Sequence, residues 1–330
     1  MRSLQPERPL PSRIRRTGLF AATLALSAIV LAGCSAGGGP ASAPSNSPSA
    51  SASVSGSSSS AGAGHSLTTP ATTRAFAALE QQYGAQVGVR VLDTGSGNTL
   101  GYRDDTRFAF ASTSKLLTAG LLLRTASDAE LDTVVHYDAA DLLSYAPVTS
   151  QHVATGMSLR DLVTAALQVS DNTAANLVTE HLGGPAAVQS ALRTLGDSTT
   201  NVDRTEPDLN TATPGDVRDT TTPHALATDL RRFAVGDLLT PARRTLLVSL
   251  LEGNTTGGPY VRAGVPAGWT VGDKTGNGSY GTRNDIAVVT PPGRAPIIVV
   301  ILTNRGSAQD ASSDDALIAD VTRQVVETVR

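Results

Sequence analysis

The alternation of apolar and polar residues predicts a folded domain that begins near Thr69. A Thr-Pro pair at this point is typical of a helix N-terminus, and we expect the helix to run to Tyr83. Residues 86–93 (QVGVRVLD) place valine at every second position, which predicts a strand. Turn-forming residues at 93–98 lead to a short second strand near Leu100.

The middle of the chain has the apolar spacing of helices. A strongly apolar helix is predicted over 114–124, and we expect it to be buried on most sides. Further helices are predicted over 159–167 and 172–182, and two more open at the Thr-Pro pairs of positions 222–223 and 240–241. Residues 200–219 contain proline and glycine without periodicity, so we expect a long loop. Such loops inside compact domains are usually functional.

The pattern returns to strands after residue 253. Three strands are predicted over 269–274, 280–290 and 296–303. The turn signals between them, Asn277-Gly278 and the Pro-Pro-Gly of 291–293, are short enough for an antiparallel meander. A last helix is expected over 314–329, with Ser312 as its cap.

This order of elements predicts an α+β fold. We expect an antiparallel sheet packed against the first and last helices, with an all-helical subdomain inserted between its strands. The folded domain covers 69–330. Its α/β subdomain is assigned to 69–106 and 252–330, and its helical subdomain to 107–251.

Residues 1–34 have the pattern of an export signal. Arginines at 13, 15 and 16 precede an apolar run over 19–31, which is too short for a comfortable membrane span. The run ends in Leu-Ala-Gly-Cys, which resembles a bacterial lipoprotein box whose cysteine, here Cys34, is lipidated and becomes the new N-terminus. A plain secretory signal with an incidental cysteine is the alternative. The paired arginines leave the export route open between Sec and Tat.

Residues 35–68 separate this signal from the folded domain. As far as Ser66 they are almost entirely Ser, Ala, Gly and Pro, with no Asp, Glu, Lys or Arg. Such a segment buries too little apolar surface to fold, so we expect a flexible tether. We therefore expect a chain held on the outer face of the cell membrane by an acyl (palmitoyl) group on Cys34, or released from it.

Composition excludes several classes of function. A net charge of -3 leaves no basic surface for nucleic acid beyond the N-terminus. The five histidines lack the spacing of a zinc site, and the single cysteine allows neither a zinc-binding pair nor an internal disulfide. We expect no metal and no cofactor, and a monomeric chain.

Lysine occurs only at positions 115 and 274, and every other basic residue in the Lys and Arg total of 26 is arginine. An amine loses its proton when buried or beside another cation, whereas a guanidinium stays charged. Ser112 and Lys115 lie three residues apart where a helix begins, so we expect the amine to reach the hydroxyl. A serine activated in this way is a nucleophile that needs no histidine.

Two more short motifs carry reactive groups: Ser170-Asp171-Asn172 at a helix start and Lys274-Thr275-Gly276 at a strand end. Alone, the first is more often a helix cap and the second an exposed lysine entering a hairpin. In the order S-x-x-K, S-D-N, K-T-G they resemble the motifs of serine β-lactamases and penicillin-binding proteins. Within that superfamily, the sequence from Thr69 onward resembles a class A β-lactamase.

A fourth segment carries the class A resemblance. Residues 204–210 (RTEPDLN) are similar to the class A Ω-loop, which implies that Glu206 and Asn210 hold a water. Glu206 is then the base that activates this water against the ester on Ser112. The resemblance also implies an Arg204–Asp219 ion pair and permits a cis bond before Pro207.

The resemblance implies β-lactam hydrolysis through a serine acyl-enzyme. Ser112 attacks the lactam carbonyl, Lys115 or Glu206 through water takes its proton, and Ser170 protonates the leaving nitrogen. The implied oxyanion hole is the N–H groups of Ser112 and Asn277. Lys274 is implied to belong to the catalytic residues, and it also helps to hold the substrate carboxylate. The implied substrate-binding residues are Asn172, Asn210, Thr275, Gly276, Asn277, Arg283 and the rim aromatic Tyr145. Arg262 competes with Arg283 for the substrate carboxylate, but its spacing suggests a structural partner in Asp273.

Two rival functions stay open on the sequence. A cell-wall peptidase or transpeptidase uses the same scaffold, although Glu206 argues against it because such peptidases lack the deacylating base. A non-catalytic lipoprotein that binds wall fragments is the second, and the complete set of reactive groups argues against that.

Overall fold

The computed structural model describes residues 64–330 of the 330-residue chain. The predicted signal, Cys34 and nearly all of the predicted tether lie outside the described residues. Among those described, no helix combines the length and apolar character needed to cross a membrane.

Helices form much of the described chain. The ten α-helices within residues 64–330 are α1 (Pro70–Tyr83), α2 (Lys115–Thr125), α3 (Asp128–Leu131), α4 (Leu159–Gln168), α5 (Asn172–His181), α6 (Pro185–Thr194), α7 (Pro223–Ala234), α8 (Pro241–Glu252), α9 (Val261–Gly264) and α10 (Asp315–Val329). The predicted Thr-Pro starts are confirmed. Thr69, Thr222 and Thr240 each accept a backbone N–H with the side chain, and proline follows each.

The strands between residues 64 and 330 are β1 (Gln86–Asp93), β2 (Thr99–Tyr102), β3 (Phe108–Ala109), β4 (Val134–Val135), β5 (Met157–Ser158), β6 (Thr220–Thr221), β7 (Thr270–Asn277), β8 (Arg283–Thr290) and β9 (Ile297–Asn304). Five of them form one antiparallel sheet in the order β2-β1-β9-β8-β7. The two-residue strands pair as β3 with β6 and β4 with β5. The strand β7 is therefore an edge of the main sheet.

The sheet is covered on both faces. On one face, Val89 and Ile301 pack with Phe76 of α1 and Val321 of α10. On the other, Val300 joins the core of the helical segment, which includes Phe233. Burial on both faces explains why β9 is apolar at nearly every position rather than at alternate ones. Each fully buried aliphatic side chain contributes roughly 1.5–3 kcal/mol.

The predicted α+β class is confirmed. The sheet takes β1 and β2 from one end of the chain and β7, β8 and β9 from the other, while helices α2 to α8 lie between them in sequence. The exact subdomain bounds at 106–107 and 251–252 stay a prediction.

Several predicted boundaries were wrong. The strand expected from residue 280 begins at Arg283, because Tyr280 and Gly281 take positive φ angles of 56° and 62° in the turn. The strand β7 continues past Lys274 to Asn277. The cap of the last helix is not Ser312 but Asp314, whose carboxylate accepts the N–H of Ala316 at 3.0 Å.

Candidate active site

Ser112 lies in a 3₁₀ turn, Ala111–Ser114, that leads directly into α2. The turn packs against the edge strand β7 at Gly276. A Cβ on that glycine would lie only 3.0 Å from the carbonyl oxygen of Phe110 and 3.1 Å from a methyl of Thr113. The absence of a side chain therefore lets the K-T-G segment lie against the turn that carries the serine.

The hydroxyl of Ser112 donates a hydrogen bond to Oε1 of Glu206 at 3.0 Å. The amine of Lys115 lies 3.0 Å from the same oxygen. The expected direct bond from the Lys115 amine to the Ser112 hydroxyl was wrong, since no hydrogen bond joins these two described side chains. The carboxylate of Glu206 instead contacts both, because a buried ammonium is stabilised most by the nearest opposite charge.

Lys115 is almost fully buried, and polar atoms surround its amine. Nζ donates to the carbonyl oxygen of Ser170 at 2.8 Å, to its hydroxyl at 3.2 Å and to Oδ1 of Asn172 at 2.6 Å. Burial lowers the pKa of Lys115, and the negative charge of Glu206 opposes that effect. The structure thus brings the S-x-x-K and S-D-N motifs together around the amine of Lys115, whose pKa is lowered.

Ser170 lies between the two lysines of the chain. Nζ of Lys274 donates to its hydroxyl at 3.0 Å, and Lys115 donates from the other side. The backbone of Ser170 has a φ of 58°, and the next residue, Asp171, caps α5 by accepting the N–H of Ala174 at 2.9 Å. The start of α5 therefore fixes a hydroxyl that accepts from two amines and can donate its own proton elsewhere.

Lys274 is completely buried on β7, and Nζ also donates to the carbonyl oxygen of Thr275 at 2.9 Å. Burial, followed by the charge of Lys115, lowers its pKa to about 7. The amine therefore changes charge near neutral pH.

Glu206 is held on the long loop by two asparagines. The side chain of Asn176 on α5 accepts the N–H of Glu206 at 2.9 Å and donates to its carbonyl oxygen at 2.8 Å. Nδ2 of Asn210 donates to Oε2 of Glu206, while Oδ1 of Asn210 is buried and has no partner in the described chain. Glu206 is thus fixed at its backbone by Asn176 and at its Oε2 atom by Asn210.

The neck of this loop is closed as expected. Arg204 pairs with Asp219 at 2.5 Å, and the fully buried Asp219 also accepts the backbone N–H groups of Asp203 and Arg204 at 2.9 Å. The bond between Glu206 and Pro207 is cis, also as expected.

Two side chains at the site were missed by sequence reasoning. Asn176 had a usable signal, because it follows Asn172 by four residues and so shares a face of α5. Thr256 had none. Its hydroxyl lies 2.6 Å from that of Thr275, but it belongs to a loop with no recognisable motif.

The cation expected to bind a substrate carboxylate, Arg283, starts β8 and pairs in register with Asn277. Its guanidinium lies 2.9 Å from Asp315 and 5.3 Å from the ring centroid of Tyr260. The competing Arg262 pairs with Asp273 at 2.6 Å, which is the structural contact expected from its spacing. Arg283 is thus held in place by an acidic side chain and an aromatic ring.

Tyr145 and Asn277 are both exposed. The carbonyl oxygen of Tyr145 accepts the N–H of Asn172 at 2.9 Å, so this residue borders the start of α5. Asn277 ends the free edge strand β7, and the N–H of Ser279 just beyond it donates to the carbonyl oxygen of Asn210 at 2.9 Å. Within residues 64–330, no group of three or more His, Cys, Asp or Glu side chains is arranged to hold a metal.

The sequence that forms this site matches a known enzyme family. A model of the beta-lactamase enzyme family matches residues 71–329. The chain belongs to the beta-lactamase enzyme family. A beta-lactamase of Amycolatopsis lactamdurans is 52% identical over 257 residues, covering 78% of this chain and 85% of that protein. Beta-lactamase AST-1 of Nocardia asteroides is 52% identical over 267 residues, covering 80% and 86%.

Solved structures of class A beta-lactamases have the same fold as this chain. A class A beta-lactamase from Clostridium kluyveri DSM 555 has 45% identity and a TM-score of 0.76, covering 78% of this chain and 97% of that one. An ancestral class A beta-lactamase has 50% identity and a TM-score of 0.75, covering 78% and 99%. The predicted class A fold and family are confirmed, and the enzyme is a hydrolase that acts on β-lactams.

Proposed function

We propose that this enzyme opens β-lactams by forming an ester on Ser112 and that Glu206 then directs a water at that ester. The observation that carries the proposal is the shared contact at Glu206, whose Oε1 lies 3.0 Å from both the Ser112 hydroxyl and the Lys115 amine. A base in contact with the nucleophile, oriented by a third group, is the arrangement that nucleophilic catalysis requires.

Acylation begins with the transfer of the Ser112 proton. Because the hydroxyl already donates to Glu206, the carboxylate is in position to receive that proton as the oxygen attacks the lactam carbonyl. The N–H groups of Ser112 and Asn277 stabilise the resulting oxyanion. Ser170 then gives its proton to the leaving nitrogen, and Lys115 replaces it. The proton that Glu206 received passes to Lys115, 3.0 Å away, so the carboxylate is again free to act as a base.

Deacylation uses the other side of Glu206. The buried Oδ1 of Asn210 has no partner among residues 64–330, so it is available to accept a hydrogen bond from a water beside the carboxylate. Glu206 removes a proton from that water as its oxygen attacks the ester carbonyl. The bond to Ser112 Oγ then breaks, and the serine recovers its proton.

The ring carboxylate of the substrate needs a cationic partner near the end of β7. Lys274 and Thr275 lie on this strand, and Arg283 lies opposite Asn277 in the register of β7 and β8. These three residues are proposed to bind the carboxylate, with Gly276 and Asn277 along the strand edge and Asn172 and Tyr145 on the opposite rim.

A chromogenic cephalosporin tests the proposed mechanism on the mature chain. Turnover with a covalent adduct on Ser112, located by peptide mass spectrometry, is the expected result. An adduct on any other residue contradicts the assignment of the nucleophile. A panel of penicillins, cephalosporins and carbapenems then defines the substrate range.

The charge of Lys274 is expected to make substrate binding depend on pH. Since its pKa is about 7, the amine is a cation below neutral pH and loses that charge above it. We expect KM to rise as pH increases from about 7 to 9, whereas Lys274→Arg keeps its charge and gives a flat KM. Steady-state kinetics across this range is the measurement.

The same cephalosporin with its carboxylate esterified is the control for this experiment. It has no anion for Lys274 to bind, so its KM should not change with pH. A KM profile that is the same for wild type and Lys274→Arg would contradict the proposed contact.

We also propose that the enzyme is a monomer held at the extracytoplasmic face of the cell membrane through a lipid on Cys34. The support is the Leu-Ala-Gly-Cys sequence followed by the Ser/Ala/Gly/Pro-rich segment. The described site is assembled from groups of one chain. A single acyl chain gives marginal binding, so stable attachment requires more than one.

Replacing Cys34 with alanine tests the anchor. We expect wild-type protein in the membrane fraction with incorporated palmitate, and the Cys34→Ala variant in the soluble fraction without it. Equal distribution of the two proteins would show that the signal is an ordinary secretory one.

A further inference from the structure

A pair of buried carboxyl groups lies away from the active site, at the base of the long loop. Asp197 lies just before the loop of residues 200–219, and Asp229 lies on α7. Both line a cavity of about 320 Å³ that opens to the surface. Neither residue takes part in the mechanism proposed above.

The bonding of these two carboxyl groups is incomplete. Oδ1 of Asp197 accepts the N–H groups of Thr199 at 2.7 Å and Thr200 at 3.0 Å. Oδ2 of Asp197 and Oδ2 of Asp229 are buried and have no hydrogen-bond partner in the described chain. The two carboxyl groups line the same cavity and influence each other's ionisation. With Asp229 only 1% exposed, a full negative charge there is poorly hydrated and costs free energy.

The charged side chains on the surrounding elements do not donate a hydrogen bond to either Oδ2 atom. Arg232 of α7 donates to the carbonyl oxygen of Leu195, and Arg193 of α6 donates to the carbonyl oxygen of Asp197 at 2.7 Å. At the mouth of the cavity, Asp105 and His224 lie 3.5 Å apart and are largely exposed. No guanidinium of the described chain donates to either Oδ2, and a proton held between the two carboxyl groups satisfies both oxygens.

We propose that Asp229 shares one proton with Asp197 and is a positioning residue that ties the base of the Ω-loop to α7. Two buried carboxyl groups in contact hold one proton between them because both cannot be charged at once. Protonated Asp229 donates to Asp197, whose other oxygen holds the turn that enters the loop.

A short chain of contacts leads from this pair to the loop neck. The hydroxyl of Thr200 lies 2.7 Å from that of Thr221, which belongs to β6 and pairs with Phe108 of β3. The N–H of Asn201 donates to the carbonyl oxygen of Thr220 at 2.9 Å. Since Glu206 lies on the loop that these contacts close, a disturbance of the pair displaces the deacylating base.

The shared proton has a defined pH range. Burial, and next the charge of Asp197, raises the pKa of Asp229 to about 8. Between about pH 4 and 8 the folded protein therefore holds a proton that the unfolded chain has lost, so this pair stabilises the fold less as pH rises through that range. Above about pH 8 the proton leaves, and two negative charges repel at the base of the loop.

Comparison of wild type with Asp229→Asn tests the proposal. An amide donates to Asp197 without a titrating proton, so the variant keeps the contact and loses the pH dependence. We expect the deacylation rate of wild type to fall relative to that of Asp229→Asn by at least about threefold between pH 7.5 and 9.5. Other groups, including Lys274, titrate in both proteins and cancel in the ratio.

Asp105→Asn is the matched control, because Asp105 lines the same cavity outside the pair. Its profile should follow that of wild type. Asp229→Ala leaves Asp197 without its donor and should lower the melting temperature by roughly 3–9 °C near pH 7. A wild-type to Asp229→Asn ratio that stays constant from pH 6 to 10 overturns the proposal.

Thermal unfolding gives a second measurement that does not depend on turnover. The melting temperature of wild type should fall more steeply from pH 6 to 8.5 than that of Asp229→Asn. Parallel melting curves also overturn the shared proton. A failure of the mechanism assigned to Ser112 and Glu206 leaves this measurement unaffected.

Discussion

Replacing Glu206 with glutamine is expected to trap the enzyme as an ester on Ser112, with Lys115, whose pKa is lowered by burial, accepting the Ser112 proton in its place. The substitution keeps the shape of the side chain and its contact with Asn210 but removes the base that activates water. Loss of a positioned general base lowers a rate by roughly 10²–10⁴-fold. Mixing the variant with excess penicillin and following the intact mass should show one adduct per chain that persists for minutes to hours.

The neighbouring carboxylate Asp208 provides the matched control for that experiment. It is exposed on the same loop, two residues from Glu206, and contacts none of the reactive groups described. Asp208→Asn should turn over substrate at nearly the wild-type rate without accumulating adduct. If Glu206→Gln turns over normally, the base for deacylation is another group.

Replacing Ser112 with alanine is expected to have the larger effect on turnover. Without the hydroxyl no ester forms, and kcat should fall by roughly 10⁴–10⁶-fold, the range seen when a catalytic nucleophile is removed. The oxyanion donors and the carboxylate site remain, so the variant should still bind substrate. Calorimetric titration with a penicillin, together with the absence of any mass adduct, checks both parts.

Ser114→Ala is the control for the nucleophile. The hydroxyl of Ser114 donates to the carbonyl oxygen of Ala111 at 3.0 Å in the same turn and makes no hydrogen bond to Glu206 or to either lysine. We expect its kcat to stay within about tenfold of wild type, since only one hydrogen bond of the turn is lost. A Ser112→Ala variant that keeps turnover and forms an adduct elsewhere would exclude the proposed mechanism.

The two variants also separate the halves of the reaction. Ser112→Ala stops before the covalent step, and Glu206→Gln stops after it if Lys115 can also serve as the acylation base. A fast adduct in Glu206→Gln therefore assigns acylation to Lys115. A slow adduct assigns both proton transfers to the carboxylate that contacts both Ser112 and Lys115.

Most elements of the fold were readable from local patterns. Thr-Pro pairs mark the starts of α1, α7 and α8 because threonine caps the helix and proline fits its first position. The unbroken apolar run of β9 and the valine repeat of β1 gave their strands. The boundaries that failed depended on conformations that sequence patterns specify weakly, such as the positive φ of Tyr280.

The site was readable as motifs but not as contacts. Lysine scarcity and motif order identified the reactive residues, yet the partner of Ser112 is Glu206, 94 residues away on the long loop. Helical spacing predicts only which residues share a face of a helix. The Lys115 amine instead contacts the carboxylate of Glu206, which only the folded chain brings close to it. Thr256 shows the same limit, since nothing local marks a residue that meets Thr275 only across the fold.

The double hydrogen bond of Asn176 to the backbone of Glu206 has a consequence for how the enzyme tolerates change. Helix α5 holds this asparagine in its second turn and presents Ser170 and Asn172 at its start. A small tilt of that helix therefore carries the hydrolytic carboxylate and the proton-delivering hydroxyl along together, with their separation preserved. Substitutions that change substrate preference are then best tolerated at residues that position neither group, such as the exposed Tyr145 and Asn277.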